Sequence, residues 1–222
     1  MRKIKPTGVL LIPAYGHSDD NGFFTTGPSL PNLWGSTMVD EYLTALHEEL
    51  EAANVRSFIM KTRSRPGIKE SDRVNKIDIG QLTIDCAIGW SKAKKSPSQH
   101  TTVYYGTSQS KRFADIMFEC LEEWSKIIMG NKYVQGKVKR VRDPLLGRED
   151  IISVRIEPFN LNASNIEDFW KFREKIGRSL GSYVADYLHE INKGAFRTIY
   201  SNRGRIKAPD KAQVLNSGVV NV

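Results

Sequence analysis

The chain has 222 residues, of which 40% are hydrophobic, 26% charged and 9% aromatic; this is the composition of one ordinary folded domain, or at most two small ones, and of neither a disordered nor a fibrous protein. No run approaches the roughly 20 consecutive apolar residues of a membrane span, and the basic start Met1-Arg2-Lys3-Ile4-Lys5-Pro6 leads into an apolar stretch too short for an export signal, so a chain that is cytoplasmic at synthesis is the expectation. The charge of +8 comes from 33 basic and 25 acidic residues, but Lys193, Arg197, Arg203, Arg205, Lys207 and Lys211 stand against Asp210 alone after residue 191, so the excess sits in the tail and nucleic acid is not a favoured partner.

Residues 8–13, Gly-Val-Leu-Leu-Ile-Pro, form a short apolar run closed by proline and predict a buried first strand. Residues 14–35, rich in glycine, proline and small polar side chains, read as one long loop, a feature that is usually functional in a compact domain. Ser36 is a natural N-cap for a helix over 36–53, where Val39, Leu43, Leu46, Leu50 and Ala53 recur at helical spacing and Asp40, Glu41, Glu48, Glu49 and Glu51 fill the other side. That helix stops near Asn54, and 55–60 follows as a strand leading into Lys61-Thr62-Arg63.

A short helical stretch over 72–82, a strand over 83–90 and another over 101–105 come next. Phe113, Ile116, Met117, Cys120, Leu121, Trp124, Ile127 and Ile128 make the apolar stripe of a helix ended by Gly130. A strand over 151–156 precedes a long helix over 165–191, with Phe169, Phe172, Ile176, Leu180, Val184 and Leu188 on one side. Strands alternating with helices predict an α/β fold: a mainly parallel mixed sheet with helices on both faces, a three-layer sandwich. Residues 1–192 form one domain with an insertion at about 14–35, and 193–222 an extended basic arm.

Cys86 and Cys120 both lie in apolar stretches and read as reduced core thiols; with no C-x-x-C pair, a disulfide framework and a cysteine-pair zinc site are both excluded. Of the four histidines, His47 falls on a solvated helix face beside Glu48 and Glu49, His100 in an exposed loop, and His189 near a helix C-terminus, where the dipole favours it. His17, with Asp19 and Asp20 in the loop after the first strand, is the one histidine in a plausible pocket. No nucleophile elbow, P-loop or dinucleotide fingerprint is present. Glu157 ends the strand 151–156, and a carboxylate at a strand's C-terminal end is either a general base in a ligand crevice or a satisfied structural group.

Taken in order, several segments resemble the zinc-dependent N-acetylmuramoyl-L-alanine amidases, the α/β family that cuts peptidoglycan, over residues 8–192. Val9-Leu10-Leu11-Ile12-Pro13-Ala14-Tyr15-Gly16-His17 resembles the family's first strand and its D-P-G-H-G-G turn, and the helix 36–53 with Ile59-Met60-Lys61-Thr62-Arg63 resembles its E-x-x-L helix and following T-R strand. Arg73, Asp78 and Ala87-Ile88-Gly89-Trp90-Ser91 resemble the R-x-x-x-A-N segment and the S-I-H-A-N strand. Val103-Tyr104-Tyr105 and Ser110-Lys111-Arg112-Phe113-Ala114 resemble the next strand and helix, and Ser153-Val154-Arg155-Ile156-Glu157-Pro158-Phe159 with Asn165 the late L-V-E-x-x-F-x-x-N stretch.

The resemblance implies a zinc ion held by two histidines and a glutamate, with a catalytic glutamate matching Glu157. At the three ligand positions this chain has Tyr15, Ser36 and Gly89, none of them a good zinc donor at neutral pH. The implied protein is therefore a catalytically degenerate amidase-like domain without metal or other cofactor, kept as a structural or interaction module. Its remnant pocket would comprise Tyr15, His17, Asp19, Ser36, Gly89 and Trp90 and could retain a peptidoglycan fragment. Such amidases are frequent in phages, so a virion or assembly component fits. Partner or self-association would use the insertion, with Phe23, Phe24, Leu30, Leu33 and Trp34, and the arm, with Arg203, Arg205 and Lys207; the insertion's apolar residues either form an exposed interface patch or fold back over the core. Two alternatives remain: an active zinc amidase with relocated ligands, His17, Asp19 or Asp40 among them, and a polyanion-binding protein using the tail.

Overall fold

Alternation along short apolar runs decides which side of the sheet each residue serves. The computed structural model describes residues 4–14, 29–30, 33–60, 82–89, 101–160 and 166–192. Its strands are β1 (Val9–Pro13), β2 (Ser29–Leu30), β3 (Leu33–Trp34), β4 (Ser57–Ile59), β5 (Leu82–Cys86), β6 (Thr102–Tyr105), β7 (Lys137–Arg140) and β8 (Ile152–Glu157). The helices are α1 (Gly35–Ala52), α2 (Ser108–Met129), α3 (Ile166–Lys171) and α4 (Arg173–Ile191), with a 3-10 turn at Gly130–Lys132. Six strands form one sheet in the order β4-β1-β5-β8-β6-β7. β1, β4, β5 and β8 run parallel, β6 joins β8 antiparallel, and β7 runs parallel to β6. This is the mixed α/β sheet the sequence predicts.

Val9 and Leu11 of β1, Leu82, Ile84 and Cys86 of β5, Ile152, Val154 and Ile156 of β8 and Val103 of β6 share one buried cluster with α1, α2 and α4. The alternate residues Leu10 and Ile12 turn to the other face, where Leu145, Ile151 and Met60 meet them. Among the described residues the long helices thus line one face; of the helical stretch expected over 72–82, residues 72–81 lie outside the described residues and Leu82 opens β5. Each fully buried leucine of α1 contributes roughly 2 kcal/mol of transfer free energy, and Leu43, Leu46 and Leu50 are all at 0% exposure.

Helix α1 ends where expected. Asn54 has φ 55, its N–H donates to the Glu51 carbonyl, and the Val55 N–H reaches back to Leu50 O at 2.9 Å. This is a Schellman closure, and Leu50 and Val55 are both buried in the same core cluster. Helix α2 begins at Thr107, whose side chain accepts from Ser110 N–H, and ends at Gly130 with φ 52. Against α1, α4 packs through Gly177 and Gly181: a Cβ on Gly177 would stand 2.7 Å from Ala45 Cβ and 2.7 Å from Tyr42 O.

Four expectations change. The helix over 165–191 is two helices broken at Phe172. The carbonyl of Phe169 accepts from the Tyr42 hydroxyl at 3.2 Å and that of Trp170 from Arg173 Nη1 at 3.0 Å, so side chains satisfy the acceptors a break frees. The strand over 83–90 ends at Cys86, after which, among the described residues, Gly89 forms an isolated bridge to Asn160. The loop 14–35 holds a two-residue pairing of β2 with β3. β7 was not foreseen, because Lys-Val-Lys-Arg has no apolar alternation. At the far corner, Asn192 Nδ2 donates to Pro6 O at 2.8 Å. No helix among the described residues is long and apolar enough to cross a membrane.

Candidate functional site

In open α/β sheets ligands bind beyond the carboxyl ends of the parallel strands, here at the ends of β1, β5 and β8. These ends are stitched across: Ala14 N–H donates to Cys86 O, Ala87 N–H to Ile156 O and Gly89 N–H to Phe159 O, at 2.9, 2.9 and 3.0 Å. The alternation of β8 sends Ser153, Arg155 and Glu157 to the face away from the helices, and the antiparallel register sets Thr102 opposite Glu157 and Tyr104 opposite Arg155.

Glu157 is the best-defined group there. Its Oε2 accepts from the Tyr104 hydroxyl at 3.0 Å. Burial pushes its carboxyl above the usual range; the Tyr104 hydrogen bond and the cations Arg155 and Lys139 oppose this, and Asp85 adds to it. Tyr104 is pushed up to about 12, chiefly by burial and by the Glu157 charge, so it remains the donor of this pair. Arg155 is held by Asp85 of β5 (Nε to Oδ2, 2.6 Å) and by Asp143 (Nη1 to Oδ2, 3.4 Å). Lys139 Nζ sits 5.7 Å from the Tyr104 ring centre. The group can therefore hold or release a proton at Glu157 while its cationic neighbours stay fixed.

Gly89 faces this carboxylate. A Cβ placed on it would lie 3.1 Å from Glu157 Oε2 and 3.1 Å from Phe159 O, so the glycine allows the two strand ends to close on each other. Ser36 lies in the first turn of α1 and is buried; it is inside the helix rather than its cap, since the helix opens at Gly35. Burial, then the charges of Asp85, Glu157 and Asp40, push the Cys86 thiol up, which leaves Cys86 a protonated core thiol. Among the described residues no group of three His, Cys, Asp or Glu side chains is placed to hold a metal ion.

The sequence-predicted site divides accordingly. Glu157 and Gly89 come together and Ser36 is in place on α1, whereas Tyr15, His17, Asp19 and Trp90 lie outside the described residues. So do Phe23, Phe24, Arg203, Arg205, Lys207 and His100, while Leu33 and Trp34 are described as the backbone of β3 alone. His47 corrects the expectation of a solvated ring: it is half-buried, and its Nδ1 is 2.7 Å from Ser57 Oγ, which in turn lies 3.3 Å from Glu51 Oε1. The arrangement ties α1 to β4, since Ser57 is engaged on both sides. His189 falls in the last turn of α4 as expected. Sequence reasoning missed Tyr104, Asp85, Arg155 and Lys139 as neighbours of Glu157; only the strand order puts them there.

The same architecture occurs in solved N-acetylmuramoyl-L-alanine amidases. Over 84% of this chain and 99% of the other, it is similar to the N-acetylmuramyl-L-alanine amidase Ami1 from Mycobacterium smegmatis, with TM-score 0.66 and 15% identity. The chain has the amidase fold. AmiC2 of Nostoc punctiforme superposes over 82% of this chain and 98% of that one, with TM-score 0.63 and 14% identity. The CwlD amidase from Clostridioides difficile, solved in complex with the GerS lipoprotein, matches with TM-score 0.60 and 15% identity over 82% and 99% of the two chains. No protein-family model matches the sequence, and no curated protein matches it.

Proposed function

We propose that this chain is a catalytically degenerate N-acetylmuramoyl-L-alanine amidase-like domain that serves as a structural or interaction module, of the kind a phage virion or its assembly would use. The observation that carries the reading is Gly89 against Glu157. Where the family resemblance calls for an imidazole ligand there is no side chain, and the direction a side chain would take already holds the Glu157 carboxylate and the Phe159 carbonyl at 3.1 Å. Ser36 offers a neutral hydroxyl where it calls for a carboxylate. Zinc hydrolases need three protein donors and a bound water, and these residues do not fit that ion.

Magnitudes support the same conclusion. A positioned general base alone accelerates a reaction typically by about a hundred- to ten-thousandfold, well below the roughly million-fold or greater acceleration of enzymes. Glu157 without an activated water is left as a polar wall of the crevice, suited to holding a peptidoglycan fragment by hydrogen bonds. The insertion at about 14–35 and the arm 193–222 are the segments we assign to partner or self-association.

Elemental analysis of the full chain purified without chelator tests the reading, together with release of stem peptides from purified cell wall. We expect no stoichiometric zinc and no release. Zinc at one per chain, with release lost in Glu157→Gln, would establish instead an active amidase with relocated ligands, His17 and Asp19 among them. Removal of 193–222 is expected to weaken association, read by sedimentation.

A further inference from the structure

β7 is an outer strand of the sheet, and it is strongly basic. From Asn131 to Arg142 the chain carries five basic residues and no acidic one. Lys137, Lys139, Arg140 and Arg142 are exposed, and among the described residues none of them forms an ion pair with a carboxylate. Lys139 lies over the Tyr104 ring, and Arg140 Nε donates to Gly106 O at 3.2 Å; these contacts orient the two side chains without neutralising them.

The hydrogen-bond register fixes which way the backbone points. Lys137 N–H donates to Thr101 O and Val141 N–H to Tyr105 O, both at 2.9 Å. Main-chain groups alternate sides along a strand, so the N–H and C=O of Val138 and Arg140 are directed away from β6. Among the described residues no strand pairs with that side. Lys137 and Lys139, opposite Thr102 and Tyr104, stand on the sheet face that carries Glu157, and Arg140 on the other.

We propose that β7 is a docking edge for an extended acidic segment of a partner protein, which adds to the sheet as a further strand. The segment's main chain pairs with Val138 and Arg140, and its carboxylates answer Lys137 and Lys139 on one face and Arg140 on the other. Charge rules out a second copy of this chain at the same edge, because β7 against β7 sets cation beside cation; lysines on an edge strand act against such self-pairing. A flexible polyanion would use the cations and leave the outward N–H and C=O groups unmatched, so the backbone geometry favours a peptide. The proposal does not depend on whether Glu157 works on a bond.

The test uses the full chain and a fluorescein-labelled peptide of alternating glutamate and valine, followed by fluorescence anisotropy at low and high salt. Binding that weakens with salt is expected, with a loss of about tenfold or more in Val138→Pro, which removes an outward N–H and leaves the ladder to β6 intact. The same loss is expected for wild-type protein when the peptide is N-methylated at alternate residues, a comparison that decides the matter even if the proline variant does not fold. Lys137→Glu with Lys139→Glu is expected to abolish binding of the acidic peptide. No binding to wild-type protein overturns the proposal; so does equal binding of the N-methylated peptide or of single-stranded DNA, which would make the edge a plain polyanion patch.

Discussion

Gly177→Ala puts the closeness of α1 and α4 to a test whose sign is informative. Judged by helix propensity alone, alanine in mid-helix should stabilise the chain by about 1 kcal/mol. The structure argues the reverse. The new Cβ would sit 2.7 Å from Ala45 Cβ and 2.7 Å from Tyr42 O, about 1 Å inside ordinary contact, and neither atom is the free end of a flexible side chain. The helices must part, and a gap of 0.5–1 Å along an interface forfeits roughly a quarter to a half of its dispersion attraction. Overpacking of this kind costs about 1–3 kcal/mol; set against the propensity gain, the net loss is about 0–2 kcal/mol, which corresponds to a fall in Tm of up to roughly 8 °C for a chain of this size. Gly181→Ala meets Glu49 Cβ at 2.7 Å and Leu46 O at 2.9 Å and should behave alike. The double variant should lose less than the sum, because the helices have already separated. Urea titrations with unchanged m-values measure all three. A Gly177→Ala protein more stable than wild type would refute the close-contact argument.

Three further outcomes follow from the site and the helix ends. Because burial raises the Glu157 carboxyl above its ordinary range in the folded chain, the folded state keeps its proton after the unfolded chain has lost it, and stability is lost as pH rises from the ordinary carboxylate range through the raised folded value, then levels off. Glu157→Gln should therefore gain stability over wild type between acid and neutral pH, with no gain below the ordinary carboxylate range; urea midpoints at several pH values read this, and a constant difference would count against it. Arg155→Met takes the cation from Asp85, whose side chain is 3% exposed, and should cost about 3 kcal/mol because a buried charge is left behind; Asp85→Asn in the same chain should recover most of it. Thr107→Ala removes the cap of α2 and should cost about 1 kcal/mol in the same assay.

The strands and helices whose burial follows a simple period could be read in the residues. β1 is an apolar run, β8 alternates apolar with polar residues, α1 and α2 carry clear stripes, and Asn54 and Gly130 marked their ends because a residue with positive φ is what closes a helix. The break at Phe172 was hidden, since neither glycine nor proline announces it and the apolar spacing runs on; it depends on Tyr42, 127 residues away in sequence, capturing a carbonyl. β7 was hidden because an edge strand need not alternate. At the site, Glu157 and Gly89 were recognisable from motif order. Tyr104 as the donor to Glu157 was not, because the pairing arises from an antiparallel neighbour 53 residues away. His47 was misjudged for a related reason: its helix neighbours are acidic, but its partner Ser57 is on β4.

The hydrogen bond between Asn192 and Pro6 brings residues at the two extremes of the described chain to one corner, at the amino-terminal rim of the parallel strands, while Glu157 closes the opposite rim. A short tether between 192 and 6 should therefore permit circular permutation, with new ends opened in the turn before Arg148. Cargo fused at that shared corner would leave the crevice unobstructed, making the scaffold a two-ended adaptor.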